Sequence, residues 1–509
     1  MDACKKHLTF QERELAILRE TIDKIDEDKS KELVNTPEIK KMVSILETFL
    51  QRKKLICYGG TAINNILPKA DQFYDRNLQI PDYDFFSKKP VKDAKELADI
   101  YAKEGFSNVE AKAGVHFGTY KVFVNFIPIA DITYLDERLF DNLFKESIRV
   151  NGIYYAPPNY LRMAMYLELS RPAGDVSRWE KVLKRLILLN KNYPLNPKEC
   201  SAELFQRSVS TISPKFAEKL YHITLNALTD RSVVFFGGYA SYLFSKYMNA
   251  KIRKMMSKQP DFDVLSDDPE TTATIVKERL EDENINNVKI IKHDAIGEVI
   301  PAHYEVRVDK ETLVFIYHPI ACHSYNEIQA GGKTIKVASI DTILSLYLAF
   351  LYAGRQYYDN KRIQCMAAFL FDVQKQNRLA QKGLLKRFPI NCYGEQHTID
   401  SIRTEKSEMW EKLKHKRSSE EFELWFLNYK PETDNNEKNN NEKNNNKTNK
   451  KSNIKAQKAK VKAKAKAKTQ KAKTNSKANT NNTNSQKPFF GGKPKTKNTK
   501  KRTHTRRRR

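Results

Sequence analysis

One pattern occurs twice along this chain of 509 residues. A short apolar run ending in Gly59-Gly60 returns as Phe235-Phe236-Gly237-Gly238, and Pro81-Asp82-Tyr83-Asp84-Phe85 returns as Pro260-Asp261-Phe262-Asp263-Val264. Further on, Pro128-Ile129-Ala130-Asp131 is matched by Pro319-Ile320-Ala321-Cys322, and Met165-Tyr166-Leu167 by Leu346-Tyr347-Leu348. Four landmarks in one order, at offsets between 178 and 191 residues, point to two copies of one folding unit.

Within the first copy, Leu55 to Cys57 is an apolar run that meets two glycines and continues into Ala62-Ile63-Asn64-Asn65-Ile66, which predicts strand, tight turn and helix. Strands are expected at Pro81–Ser87, Thr119–Phe126 and Ile129–Thr133, with a helix through Ala94, Leu97, Ala98 and Tyr101. Alternating and continuous apolar runs together indicate a mixed sheet backed by helices, an α+β fold. Two helices precede it. Thr9 with Glu12 has the form of a capping box, and Thr36-Pro37 supplies an N-cap with proline in the first turn. In the second of these helices Ile39, Met42, Val43, Leu46, Phe49 and Leu50 fall on one face.

The net charge of +28 is unevenly placed. Residues 431–509 hold 26 Lys or Arg against 4 Asp or Glu, which leaves only +6 for residues 1–430. This Lys/Asn/Arg-rich stretch has few apolar residues from which to build a core, so it is expected to be a disordered tail, serving either to hold a polyanion or to keep the chain soluble. The six cysteines are far apart and form no C-x-x-C pair, so neither a zinc ribbon nor a disulfide framework is expected. Nor is any membrane association, because no run approaches the roughly 20 apolar residues of a spanning helix.

Residues two apart on a strand share a face, so Asp82 and Asp84 should project together. Asp131, on a neighbouring strand, would add a third negative charge. Such a cluster calls for a cation, and carboxylate oxygens suit Mg²⁺ or Mn²⁺. The glycine turn complements it: Gly59 and Gly60 allow close approach of a phosphate to the start of a helix, with the Thr61 hydroxyl as a further donor. These parts fit two-metal phosphoryl transfer, with Asp82, Asp84 and Asp131 as the catalytic metal ligands. In the second copy Cys322 stands opposite Asp131. Cys322-His323 lacks two further ligands for zinc and reads as a packed strand.

Gly59-Gly60-Thr61, Asp82-Tyr83-Asp84 and Asp131 resemble the motifs of the DNA polymerase β-like nucleotidyltransferase superfamily. An intact copy followed by a degraded one is similar to the catalytic subunit of poxvirus and giant-virus poly(A) polymerases, over roughly residues 36 to 400. The resemblance implies two tandem nucleotidyltransferase-like domains: an N-terminal helical segment at 1–50, a catalytic domain at 51–195, a degenerate one at 196–425 and the tail at 431–509. It also implies ATP as donor, an mRNA 3′ end as acceptor, and Mg²⁺ or Mn²⁺ as cofactor. Because the segment after the sheet lines the nucleotide site in that superfamily, Arg178 and Lys181 become candidate phosphate contacts, whereas Tyr166 reads as core. A homodimer or a separate processivity subunit stays open. The host cytoplasm, at the viral factory, is the implied location, with packaging in the virion as an addition. Other RNA nucleotidyltransferases (CCA-adding, uridylyltransferase or oligoadenylate synthetase) and a non-catalytic RNA-binding scaffold are the alternatives. No motif reports the choice of base.

Overall fold

The computed structural model describes residues 9–432 apart from 196, 198–199, 206, 208–212, 257–258 and 378–379. The expected tail at 431–509 therefore lies almost wholly outside the described residues. Two eight-stranded mixed sheets, each backed by helices, make up an α+β architecture within one compact unit, residues 1–433.

In the first sheet the strands are β1 (Ile56–Tyr58), β2 (Tyr83–Ser87), β3 (Val109–Ala113), β4 (Thr119–Val124), β5 (Ile127–Tyr134), β6 (Ile148–Val150) and β7 (Ile153–Tyr155). The second holds β8 (Val234–Phe235), β9 (Phe262–Leu265), β10 (Val288–His293), β11 (His303–Val308), β12 (Glu311–Tyr317), β13 (His323–Ala330), β14 (Lys333–Ala338) and β15 (Cys392–Tyr393). A last strand, β16 (Asn428–Tyr429), returns to the edge of the first sheet beside β3. The orders are β16-β3-β4-β5-β2-β1-β7-β6 and β10-β11-β12-β9-β8-β14-β13-β15. Leaving aside β15 and β16, the two orders correspond strand for strand, and the two central parallel pairs, β2 with β5 and β9 with β12, occupy the same place.

That correspondence corrects one step of the sequence alignment. Asp84 lies opposite Asp131 across β2 and β5, and Asp263 lies opposite Phe315 across β9 and β12. The counterpart of Asp131 is therefore Phe315. Cys322 immediately precedes β13, one strand of a hairpin that corresponds to β6 and β7. The apparent match failed because both segments are short apolar runs after a proline, which sequence alone does not distinguish. The cysteines require a second correction. Cys200 is bonded to Cys365 and Cys322 to Cys392, pairs 165 and 70 residues apart in sequence, brought together only by packing.

The predicted caps are in place. Thr9 and Glu12 exchange hydrogen bonds, the Thr9 amide donating to Glu12 Oε2 at 2.7 Å. Thr36 accepts from the Ile39 amide at 3.3 Å ahead of helix Pro37–Lys53, whose Ile39, Met42, Leu46, Phe49 and Leu50 are buried. The helices that follow the two sheets, Pro158–Leu169 and Ile340–Phe350, pack against one another. Every residue of the latter is buried, as expected of a helix apolar on all sides. Tyr166 is fully buried, as its core reading requires. Among the described residues no helix is long and apolar enough to cross a membrane.

Candidate active site

Local chain geometry builds the site. β1 ends at Tyr58, and helix Gly59–Ile66 begins at once. Gly59 has φ +74°, and a Cβ placed on it would clash with Asp84 Oδ2. The Asp84 carboxyl thus lies against the N-terminal turn of that helix, where unpaired amide groups and the helix dipole favour negative charge. Gly59→Ala is expected to lower stability by about 1–3 kcal/mol in urea unfolding, from the disfavoured φ and the clash together. Gly60→Ala should cost less, since its Cβ would meet only the tips of Tyr74 and Arg185. Equal costs would contradict this account of the turn.

The three predicted carboxylates come together. Asp84, Asp131 and Lys121 are direct partners in register across β2, β5 and β4, so their side chains share one face. Asp82, exposed just before β2, lies close enough to influence Asp84. Tyr83 and Phe85, which alternate with the acids, are fully buried, and Tyr83 donates a hydrogen bond to Glu47 at 2.6 Å. Burial, followed by the charges of Asp82 and Asp131, pushes the Asp84 carboxyl up to about 7. Burial and Asp131 also raise Asp82, against opposing effects from Lys121 and Lys181. The site thus carries more negative charge than its surroundings neutralise.

Lys121 was missed by sequence reasoning. Its ammonium is ion-paired with Asp131 Oδ2, so the chain itself supplies a cation there. Among the described residues no three His, Cys, Asp or Glu side chains converge on a single metal position. The donor set nonetheless fits a divalent cation: oxygen ligands with unneutralised charge on one face, and a partly exposed lysine (38% of its side-chain surface) that is free to turn aside.

The remaining predicted residues are divided in their placement. The Thr61 hydroxyl donates to the Asp82 carbonyl at 2.6 Å, so it ties the glycine turn to the acidic segment and its proton is already engaged. Lys181 lines a cavity of about 310 Å³ together with Thr61, Asn64, Tyr74 and Asp82. Arg178 instead faces Glu168, Nε to Oε1 at 3.2 Å, although its charge still lowers Asp84. A second missed residue is Arg185. Its guanidinium lies where a Cβ on Gly60 would meet it at 3.0 Å, hydrogen-bonded to the Tyr74 hydroxyl and lying over the rings of Phe73 and Tyr74. Asn64 fixes that loop by accepting from the Phe73 and Tyr74 amides, both at 2.8 Å. The position of Arg185 one turn beyond Lys181 on helix Trp179–Asn192 was the available signal.

The matching place in the second sheet is arranged differently. Asp261 and Asp263 have side chains only 5% and 7% exposed. Arg362 bonds both oxygens of Asp261, at 2.9 and 2.8 Å. Arg207 pairs with Asp263 and, at 3.3 Å, with Asp261, while its guanidinium lies 4.4 Å from the Phe315 ring centroid. Two arginines stand where a metal-binding site would need open ligand positions.

This geometry falls within a recognisable segment. Residues 44–175 match the model of the family described as poly(A) polymerase catalytic subunit. The matched segment contains Gly59, Asp82, Asp84, Lys121 and Asp131. Over 164 residues the chain is 33% identical to a protein of Acanthamoeba polyphaga mimivirus named "Putative poly(A) polymerase catalytic subunit", matching 31% of this chain and 27% of that one. The protein of the same name from African swine fever virus is 34% identical over 168 residues, 32% of this chain and 35% of that one. The chain thus matches only about a third or less of the length of these curated relatives. The crystal structure of the Megavirus polyadenylate synthase superimposes with a TM-score of 0.70 at 21% identity, over 86% of this chain and 90% of that one. Its fold is shared across both sheets.

Proposed function

We propose that the chain is a template-independent poly(A) polymerase, adding AMP from ATP to the 3′ end of mRNA by two-metal phosphoryl transfer. The observation that carries this reading is the register of Asp84 with Asp131, with the Asp84 carboxyl held against the glycine-opened end of helix Gly59–Ile66. In this reading residues 51–195 form the catalytic nucleotidyltransferase unit and residues 196–425 a degenerate copy, its carboxylates closed off by Arg207 and Arg362. That closure is why the second copy is assigned no turnover.

Asp82, Asp84 and Asp131 would hold Mg²⁺ or Mn²⁺, with Lys121 releasing Asp131 to do so. When bound, the ions lower the pKa of the attacking 3′-hydroxyl and neutralise charge on the leaving pyrophosphate. The chain's own groups do the rest. Gly59 and Gly60 present backbone amides to the triphosphate, and Lys181 and Arg185 add positive charge beside them. Arg178, near Asp84 but paired with Glu168, is assigned a supporting electrostatic role. The location in the host cytoplasm rests on the resemblance alone.

The test is to offer a labelled RNA primer each nucleoside triphosphate separately. Extension with ATP alone, stopped by EDTA and restored by Mg²⁺ or Mn²⁺, is the expected result. Chelation should leave the fold intact, because the site is assembled by strand register and not by an ion. Extension with UTP, a fixed CCA addition, or no extension at all would each overturn the reading.

A further inference from the structure

A second cavity, larger than the one beside Lys181, lies between the helices that follow the two sheets. It encloses about 780 Å³, within the range of small-molecule sites. Helix Pro158–Leu169 contributes Met163 and Leu167, helix Ile340–Phe350 contributes Leu346, and helix Ile399–Leu413 contributes Ile402. These are apolar walls suited to a flat ring. Arg178 also lines it, and its charge acts on Asp84. Lys181, three residues on, lines the smaller cavity together with Thr61 and Asp82. A nucleotide with its phosphates at the glycine turn would therefore have this cleft within reach of its base.

Three polar atoms on the lining lack a hydrogen-bond partner, and one of them, Glu168 Oε1, is ion-paired with Arg178 at 3.2 Å. The other two, Gln396 Oε1 and Arg171 Nε, are buried without a hydrogen-bond partner. The Gln396 amide is oriented by its Nε2, which donates to the His397 carbonyl at 3.3 Å, leaving the oxygen as the free end. Buried polar atoms without partners are costly and uncommon in folded proteins. One acceptor and one donor on a slot with apolar walls make a specific demand. Adenine offers the complement along its Watson–Crick edge, an N6 amino donor beside the N1 acceptor. Guanine and uracil present the reverse, a keto acceptor beside an N–H donor. Cytosine has adenine's pattern on a smaller ring.

We infer that this cleft is a base-reading site for adenine, in which Gln396 Oε1 accepts from the N6 amino group and Arg171 Nε donates to a ring nitrogen. Adenine could arrive from the incoming nucleotide or from the 3′-terminal residue of the growing strand. The inference rests on the nucleotidyltransferase reading above and assigns its base choice, which no motif reports, to residues outside the acidic strands.

The experiment compares wild type with Gln396→Leu, which removes the acceptor, and Gln396→Glu, which keeps one. In one arm the primer is fixed and ATP competes with inosine triphosphate, whose keto group replaces the amino group. In the other ATP is fixed and the primer ends in adenosine or inosine. The wild type should prefer adenine in one arm, identifying the source. Gln396→Leu should reduce that preference by about ten- to a hundredfold, and Gln396→Glu should largely retain it. Direct competition of ATP and inosine triphosphate for binding provides a readout without turnover. Unchanged preference in Gln396→Leu, in both extension arms and in binding, would overturn the inference while leaving the polymerase reading intact. If the wild type extends no primer, the polymerase reading fails, and the binding competition still decides whether the cleft reads adenine.

Discussion

Asp84→Asn is expected to reduce RNA extension by at least about a thousandfold and, at the same time, to stabilise the metal-free protein. The first effect follows from losing a ligand whose contribution to the transition state is several kcal/mol, where about 1.4 kcal/mol is a factor of ten. The second follows from the position of its carboxyl. Asp84 lies at about 7 in the fold against an ordinary 3.8, so between those values the folded chain binds a proton that the unfolded chain has lost. Metal-free stability should therefore fall as pH rises from about 4 to about 7, by about 4 kcal/mol at most. Asn carries no charge and escapes that loss. A divalent cation should reverse it, so Mn²⁺ should raise the melting temperature clearly at pH 8 and little at pH 5, where protons compete. Melts of wild type and Asp84→Asn across that range, with EDTA and with Mn²⁺, give the comparison. Identical pH profiles for the two proteins would refute this account of the acidic cluster.

Arg362→Ala is expected to be among the most destabilising single substitutions in the second sheet. Its guanidinium bonds both oxygens of a carboxylate that is 5% exposed. Removing one partner of a buried ion pair leaves the other charge uncompensated and costs about 3–5 kcal/mol. Arg207→Ala belongs to the same class, with the additional loss of its contact with Phe315. Against a total stability of about 5–15 kcal/mol, such losses unfold a substantial fraction of the molecules. Asp263→Asn should also destabilise by weakening the Arg207 pair, while the activity of each folded molecule stays close to wild type. Urea unfolding of the single variants and of Arg362→Ala with Asp261→Asn closes a double-mutant cycle. A coupling near zero would show that the pair does not hold this half together.

Much of the first site was legible because its elements are local. The glycine turn, the alternation of Asp82 and Asp84 with buried Tyr83 and Phe85, and the lone acid in an apolar strand are each written within a few residues. Strand pairing across the sheet is not. Lys121 meets Asp131 because β4 and β5 pair in one register, and Phe315 takes the place of Asp131 in the second copy because β12 runs beside β9. The hairpin of β10 and β11 carried no landmark strong enough to mark it in advance.

The sequence by itself determined that the chain folds as two related α+β sheets, that the first copy concentrates three carboxylates beside a glycine turn, and that positive charge gathers in residues 431–509. Periodicity, turn chemistry and composition act over short stretches, and they read out directly. Tertiary structure alone decided which cations neutralise which acids, that Arg207 and Arg362 close the second acidic pair, that Cys200 meets Cys365, and that Gln396 and Arg171 border one cleft more than 220 residues apart in the chain. Each of these depends on distances between segments remote in sequence, and such distances are set by the packing of the whole core.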